Sequence, residues 1–213
     1  ATPKPIKKDT VSISYNASRK ELTIITTPSP LCSYMANSCY LFLLAWDKIK
    51  ENIAKNFSVD IYCEDVPKTM NENTFYISAP NNPRITLIPD PMFNRWVEVG
   101  IFDHDTTCRK IEEKGANKPI YNKMLWIGNT ITNPIRKKLV EEYGQNSNFE
   151  FIAMDWYNVK SNKMGTPTKY ISLEDHTKYK YLLDLPGRGW SARVKNLMFS
   201  QRPLFLVDRE MYD

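Results

Sequence analysis

The chain has 213 residues, 42% hydrophobic and 25% charged, the make-up of a water-soluble globular protein with one large domain or two small ones. Its 29 basic and 24 acidic residues leave a formal charge of +5, which favours anionic ligands but is too small for a nucleic-acid coat. The best apolar run, "CYLFLLAW" (39–46), is far too short to span a bilayer.

The amino-terminal "ATPKPIKKD" is polar and basic and shows no signal peptide in the chain as given, so a cytoplasmic location is the expectation. "TVSISY" (10–15) and "ELTIITT" (21–27) alternate or are β-branched and predict strands. From Tyr34 to Phe57 the period becomes helical, with Met35, Cys39, Phe42, Trp46, Ile49 and Ile53 at three- and four-residue steps. "SVDIYC" (58–63) is the next predicted strand, ended by Pro67. Short strands are predicted at "TFYIS" (74–78), "ITLI" (85–88) and "VEVGIF" (97–102). The charged stretch Thr106–Asn122 breaks the pattern and sets a domain boundary, giving domains 1–115 and 116–213. Cys32, Cys39, Cys63 and Cys108 lack the CxxC spacing of a zinc site; buried or half-buried thiols are expected, with a Cys32–Cys39 pair as the oxidised alternative. Asn16 and Asn56 head glycosylation sequons, informative only in a secreted chain.

Beyond the boundary the punctuation is cleaner. "KMLWIG" (123–128) is a strand, Asn133 and Pro134 open a helix, and Gly144 stops it. "FEFIAM" (149–154) is a strand, and Ser172 with Asp175 predicts a short capped helix. "YKYLLDL" (179–185), "WSARVKNLMFS" (190–200) and "PLFLV" (203–207) read as strand, helix and strand. Strands alternating with helices predict an α/β fold with a parallel, doubly wound sheet.

The turn "LPGRGWSAR" (185–193) lies where a strand hands over to a helix, at the end of a sheet where ligands collect. A helix N-terminus offers free N–H groups and partial positive charge; Gly187 and Gly189 would allow close approach and positive φ. Ser191 adds a hydroxyl, and Arg188 and Arg193 add guanidiniums able to grip phosphate oxygens. A purely structural turn is the bland alternative. Trp156 is a candidate to flank a nucleotide base, or a core or surface residue.

"LEDHTKYKYLLDLPGRGWSARVKNLMFS" (173–200) resembles the signature of glycosyltransferase family 90, the capsule-associated xylosyltransferases and Rumi-type protein O-glucosyltransferases. "WIGNTITNPIRKKL" resembles its upstream segment, aligning Arg136 with the family's arginine and leaving Ile127 where another arginine is usual. "VDIYCEDVPK" resembles the strand that carries the family's catalytic aspartate, which matches Asp65, and "PDPMFNRW" an acceptor-side aromatic loop, which matches Trp96. On residues alone Asp65 is better explained as a turn former before Val66-Pro67, and only the resemblance makes it the base. The likeness runs from about residue 58 to 207, and the family continues through further helices beyond the point matching Asp213, implying a shortened second domain.

The resemblance implies a GT-B architecture, two Rossmann-like domains facing across a cleft. It implies inverting transfer from a UDP-sugar, xylose or glucose first, to a glycan or protein hydroxyl. Asp65 would be the base. Asn129, Thr130, Arg136, Gly187, Arg188, Gly189, Ser191 and Arg193 would hold the nucleotide sugar, and Trp96 would face the acceptor. No divalent metal, nucleic acid or membrane span is expected. Two alternatives stand beside it. Asp103-His104-Asp105 after an apolar run is the D-x-D pattern of a metal-dependent GT-A enzyme. The many tyrosines and tryptophans also suit a non-catalytic carbohydrate-binding module.

Overall fold

The computed structural model describes residues 8–28, 32–154, 170–209 and 211–212, so Trp156 lies outside the described residues. The chain is mixed α/β and divides into two compact units, Ala1–Arg95 with Glu210–Asp213, and Trp96–Arg209. That division falls before the charged stretch at 106–122, whose first part, to Gly115, is helical and packs within the second unit.

In the first unit, β1 (Thr10–Asn16) and β2 (Glu21–Thr26) form a hairpin. Strict alternation sends Val11, Ile13 and Tyr15 into the core while Ser14 faces out. α1 (Cys32–Ile49) lies on that face, with Met35, Cys39 and Phe42 in the same cluster and the Trp46 ring 4.8 Å from Tyr15. Next come β3 (Phe57–Tyr62), β4 (Thr74–Tyr76), β5 (Ala79–Pro80) and β6 (Thr86–Leu87). The sheet order is β2-β1-β3-β4-β6, antiparallel on both sides of β1 and parallel from β3 onward. Only β3, β4 and β6 are therefore mutually parallel, as the strands of a Rossmann-like domain would be. Cys39 is a free thiol, so it makes no disulfide with Cys32.

The second unit opens differently from its predicted strand at 97–102. Val97–Val99 is a single 3-10 turn closed by Gly100 at φ 81, and Trp96 pairs with Ile101 as an isolated bridge. Gly100 has the left-handed conformation that tight reversal needs. α2 (His104–Gly115) then begins at Asp103, whose side chain accepts the Thr106 N–H. A Cβ at Gly115 would stand 2.3 Å from the Ser200 carbonyl oxygen, so helix and following chain touch backbone to backbone there.

β7 (Tyr121–Gly128), α3 (Pro134–Tyr143), β8 (Phe149–Ala153), β9 (Tyr179–Asp184), α4 (Val194–Leu197) and β10 (Leu204–Leu206) follow. The strands form an all-parallel sheet ordered β10-β9-β7-β8, as the strand–helix alternation predicts. Both faces are covered. Leu125, Ile127, Ile152, Leu182 and Leu197 fill one, while Trp126, Phe151 and Leu185 fill the other. β11 (Met211–Tyr212) pairs with β5 and belongs to the first unit. Among the described residues no helix is long and apolar enough to cross a membrane.

His176, in the 3-10 turn Glu174–Lys178, is 4% exposed, and its Nδ1 lies 2.7 Å from the Ser172 carbonyl oxygen, so that nitrogen carries the proton. Its Nε2 has no hydrogen-bond partner among the described residues. Burial pulls the imidazole pKa down to about 4 from 6.5. Between those values the unfolded chain binds a proton that the folded chain does not. Stability is therefore full above pH 6.5 and falls on acidification, by on the order of 3 kcal/mol at pH 4. Urea midpoints between pH 4 and 7 should show this slope in the wild type. The slope should flatten in His176→Asn, which keeps a donor for Ser172 but cannot titrate.

Candidate functional site

β7 is the pivot of the parallel sheet. The chain leaves it through α3 to β8 on one side, then returns to β9 on the other. The carboxyl ends of β7 and β9 thus border the point where strand order reverses, the place where open α/β sheets bind ligands. Asn129 and Thr130 follow β7, and the 185–193 loop follows β9.

Asp184, the last residue of β9, has no exposed surface, and three side chains converge on its carboxylate. Ser191 Oγ donates to Oδ1 at 2.8 Å, Arg193 Nε donates to the same oxygen at 3.0 Å, and Arg209 Nη2 donates to Oδ2 at 2.9 Å. Arg193 also donates through Nη1 to the Ile127 carbonyl on β7. One guanidinium therefore ties β9 to β7 across the reversal point. Arg209 ties in the chain just past β10, where the Val207 N–H also donates to the Asp184 carbonyl.

Arg136, near the start of α3, is 8% exposed and spreads its guanidinium over two loops. Nε donates to Pro186 O at 2.8 Å and Nη2 to Leu185 O at 3.0 Å; Nη1 donates to Asn129 O at 3.1 Å and to Thr132 Oγ1 at 2.7 Å. Arg136 is thus committed to backbone carbonyls and shapes the site. The buried Trp126 ring lies beneath both arginines, 5.6 Å from the Arg136 guanidinium carbon and 5.9 Å from that of Arg193. Burial, and then the neighbouring Arg193 charge, lower the Arg136 pKa to about 10, which still leaves it cationic at neutral pH. Among the described residues, three guanidiniums lie around the one buried carboxylate of Asp184, a local excess of positive charge.

The glycine turn works differently from expectation. Neither Gly187 nor Gly189 has positive φ. At Gly187 the need is for space, since a Cβ would lie 3.3 Å from both Arg136 Nη2 and the Trp190 carbonyl oxygen. α4 is only four residues long and starts after Arg193, so Ser191 and Arg193 do not open a long helix and the macrodipole contributes little. Positive charge here comes from side chains. Arg188 is exposed on the turn, and Gly189 and Ser191 are buried.

Asp65 belongs to the first unit, half-buried just past the carboxyl end of β3, next to Glu64, which accepts the Tyr62 hydroxyl at 2.5 Å. Trp96 falls in the second unit, held by reciprocal backbone hydrogen bonds with Ile101. The D-x-D residues begin α2 and do not end a strand. Asp103 caps the helix, with its pKa lowered by the Thr106 hydroxyl and then by the Thr106 backbone N–H, and Asp105 contacts His104 Nδ1 at 3.2 Å.

The family model for glycosyl transferase family 90 matches residues 75–213. The chain belongs to glycosyltransferase family 90. No curated protein matches it. The family-90 match takes in the whole arginine–aspartate cluster, whereas Asp65 precedes it. Two members of the cluster escaped sequence reading. Asp184 carried a weak signal, an acid closing an apolar strand; Arg209 carried none, being brought in only by β10 pairing beside β9.

Lysine at position 136 would keep the charge but, with one ammonium, could not reach carbonyls on both loops. Arg136→Lys should therefore lower stability by about 3 kcal/mol, read as a reduced urea midpoint, through acceptors left unpaired in the interior.

Proposed function

We propose that this family-90 glycosyltransferase transfers xylose or glucose from a UDP-sugar to a hydroxyl of a glycan or protein, with inversion and without a divalent metal, in an enzyme of the GT-B kind. The observation that supports this most is the excess of guanidinium charge at the strand-order reversal. A departing diphosphate gathers negative charge on its oxygens, and fixed cations in a poorly solvated site stabilise it without reorganising. Arg193 is the principal donor to that diphosphate, with Ser191, Arg188, Asn129, Thr130 and the backbone at Gly187 and Gly189 around it, and Arg136 holding the loops in place.

Asp65 is the proposed base. Single displacement at the anomeric carbon needs a group to take the acceptor hydroxyl's proton as the new C–O bond forms and the C–O bond to the diphosphate breaks. Trp96 serves as an acceptor-side ring.

Arg193→Ala should lower turnover by about 10²–10³-fold at saturating UDP-sugar, the loss typical of a removed transition-state donor. Asp65→Asn should lower turnover by about 10²–10⁴-fold yet keep UDP affinity within a few-fold of wild type, checked by calorimetry. Near-wild-type turnover in Arg193→Ala, or parallel loss of UDP binding in Asp65→Asn, would remove those assignments. The same calorimetry with and without Mn²⁺ tests the metal: binding that requires it and is lost in Asp103→Ala would replace this reading with the GT-A one.

A further inference from the structure

Asp184 is a poor candidate to touch a diphosphate, since like charges repel, yet it binds two of the proposed donor-gripping side chains, Ser191 and Arg193, and Arg209 beside them. Resting on the donor reading above, we propose that Asp184 is a positioning residue: its buried carboxylate aims Arg193 and Arg209 so that their remaining N–H groups face the nucleotide diphosphate, and it holds Ser191 beside them by its hydroxyl proton.

The geometry follows from the planarity of the guanidinium. Arg193 is pinned at Nε by Asp184 and at Nη1 by the Ile127 carbonyl, two anchors that fix both the plane and its rotation. Its Nη2 makes no hydrogen bond among the described residues, and the side chain keeps 15% exposure, so the free edge has one orientation. Among the described residues, the Arg209 side chain is held by an Nη2 contact to the other carboxylate oxygen, and it is 14% exposed. Ser191 donates its proton to Asp184, which turns its oxygen lone pairs away from that carboxylate and leaves them to accept an N–H or hydroxyl. Without the carboxylate, two long cationic side chains would share a confined space and repel.

Charge alone and positioning predict opposite signs. If Asp184 acted only through its charge, neutralising it would strengthen binding of an anion. If it acts by aiming the arginines, neutralising it weakens binding. Asp184→Asn keeps the shape, removes the charge, and turns either an amide N–H₂ or a weaker acceptor toward the guanidiniums.

The test uses the full chain and UDP as the probe. The Arg193 Nε–H resonance is identified by its disappearance in Arg193→Lys. In the free wild type it should be shifted downfield and exchange slowly; in Asp184→Asn it should move toward the solvent-exposed position, and calorimetry should show UDP bound about tenfold more weakly. Unchanged or tighter UDP binding in Asp184→Asn, or an unmoved resonance, overturns the proposal. A wild-type chain that ignores UDP overturns the donor reading instead, and the resonance still decides whether Asp184 orders Arg193. Should Asp184→Asn fail to fold by circular dichroism, Ser191→Ala and Arg209→Lys each remove one bond and leave the carboxylate in place. Each should weaken UDP by about threefold and shift the Arg193 resonance. No shift in either is equally fatal.

Discussion

A carboxylate with no exposed surface sits at the end of β9, and the second unit is organised around keeping it satisfied. An ionised group taken out of water costs several kcal/mol unless charge and hydrogen bonds replace the solvent. Asp184 finds both in Ser191, Arg193 and Arg209, which reach it from the loop after β9 and from the chain past β10. Each bond does two things: it offsets the cost of burial, and it ties down chain that leaves the carboxyl edge of the sheet. Parallel strands lack hairpins to hold their ends together, so such side-chain ties decide the shape of the edge where ligands bind.

Arg136 plays the complementary part on the β7 side. Its four bonds reach Asn129, Thr132, Leu185 and Pro186, drawing the loop after β7 and the loop after β9 toward one guanidinium. Gly187 belongs to the same contact, because any side chain there would press on Arg136. The two arginines thus divide the work. Arg136 spends three bonds on backbone carbonyls and one on the Thr132 hydroxyl, whereas Arg193 keeps one nitrogen uncommitted among the described residues. Trp126 supports both, giving each guanidinium an aromatic face.

Much of the second unit was legible in the residues. The strands at 123–128, 149–154 and 179–185 are apolar on both faces, and Asn133-Pro134 with Gly144 marks α3 at both ends. Misreadings came where local pattern competes with tertiary contact. "VEVGIF" alternates like a strand but bends at Gly100 into a turn, and 106–115, read as a break for its charge, is a helix whose polar face is solvated. "WSARVKNLMFS" has helical spacing, but Ser191 and Arg193 are drawn off to Asp184, and the helix shrinks to Val194–Leu197. The glycine turn and its arginines could be found by motif. Asp184 and Arg209 could not, because what makes them matter is burial and strand pairing between distant segments.

Local charge balance links this architecture to chemistry. Among the described residues, Arg136, Arg193 and Arg209 lie around the one buried carboxylate of Asp184, and the Arg136 pKa is depressed first by burial and then by the neighbouring Arg193 charge. A protein seeking stability alone would do better with a second acid, or with apolar residues of similar volume. An excess of fixed guanidinium at a strand-order reversal becomes an advantage when a dianionic group enters, since the repulsion already stored there is relieved by the ligand. In the proposed reaction, the charge that grows on a departing diphosphate would relieve it further. Burial makes that relief large, and the carboxylate keeps the cations from turning aside before the ligand arrives.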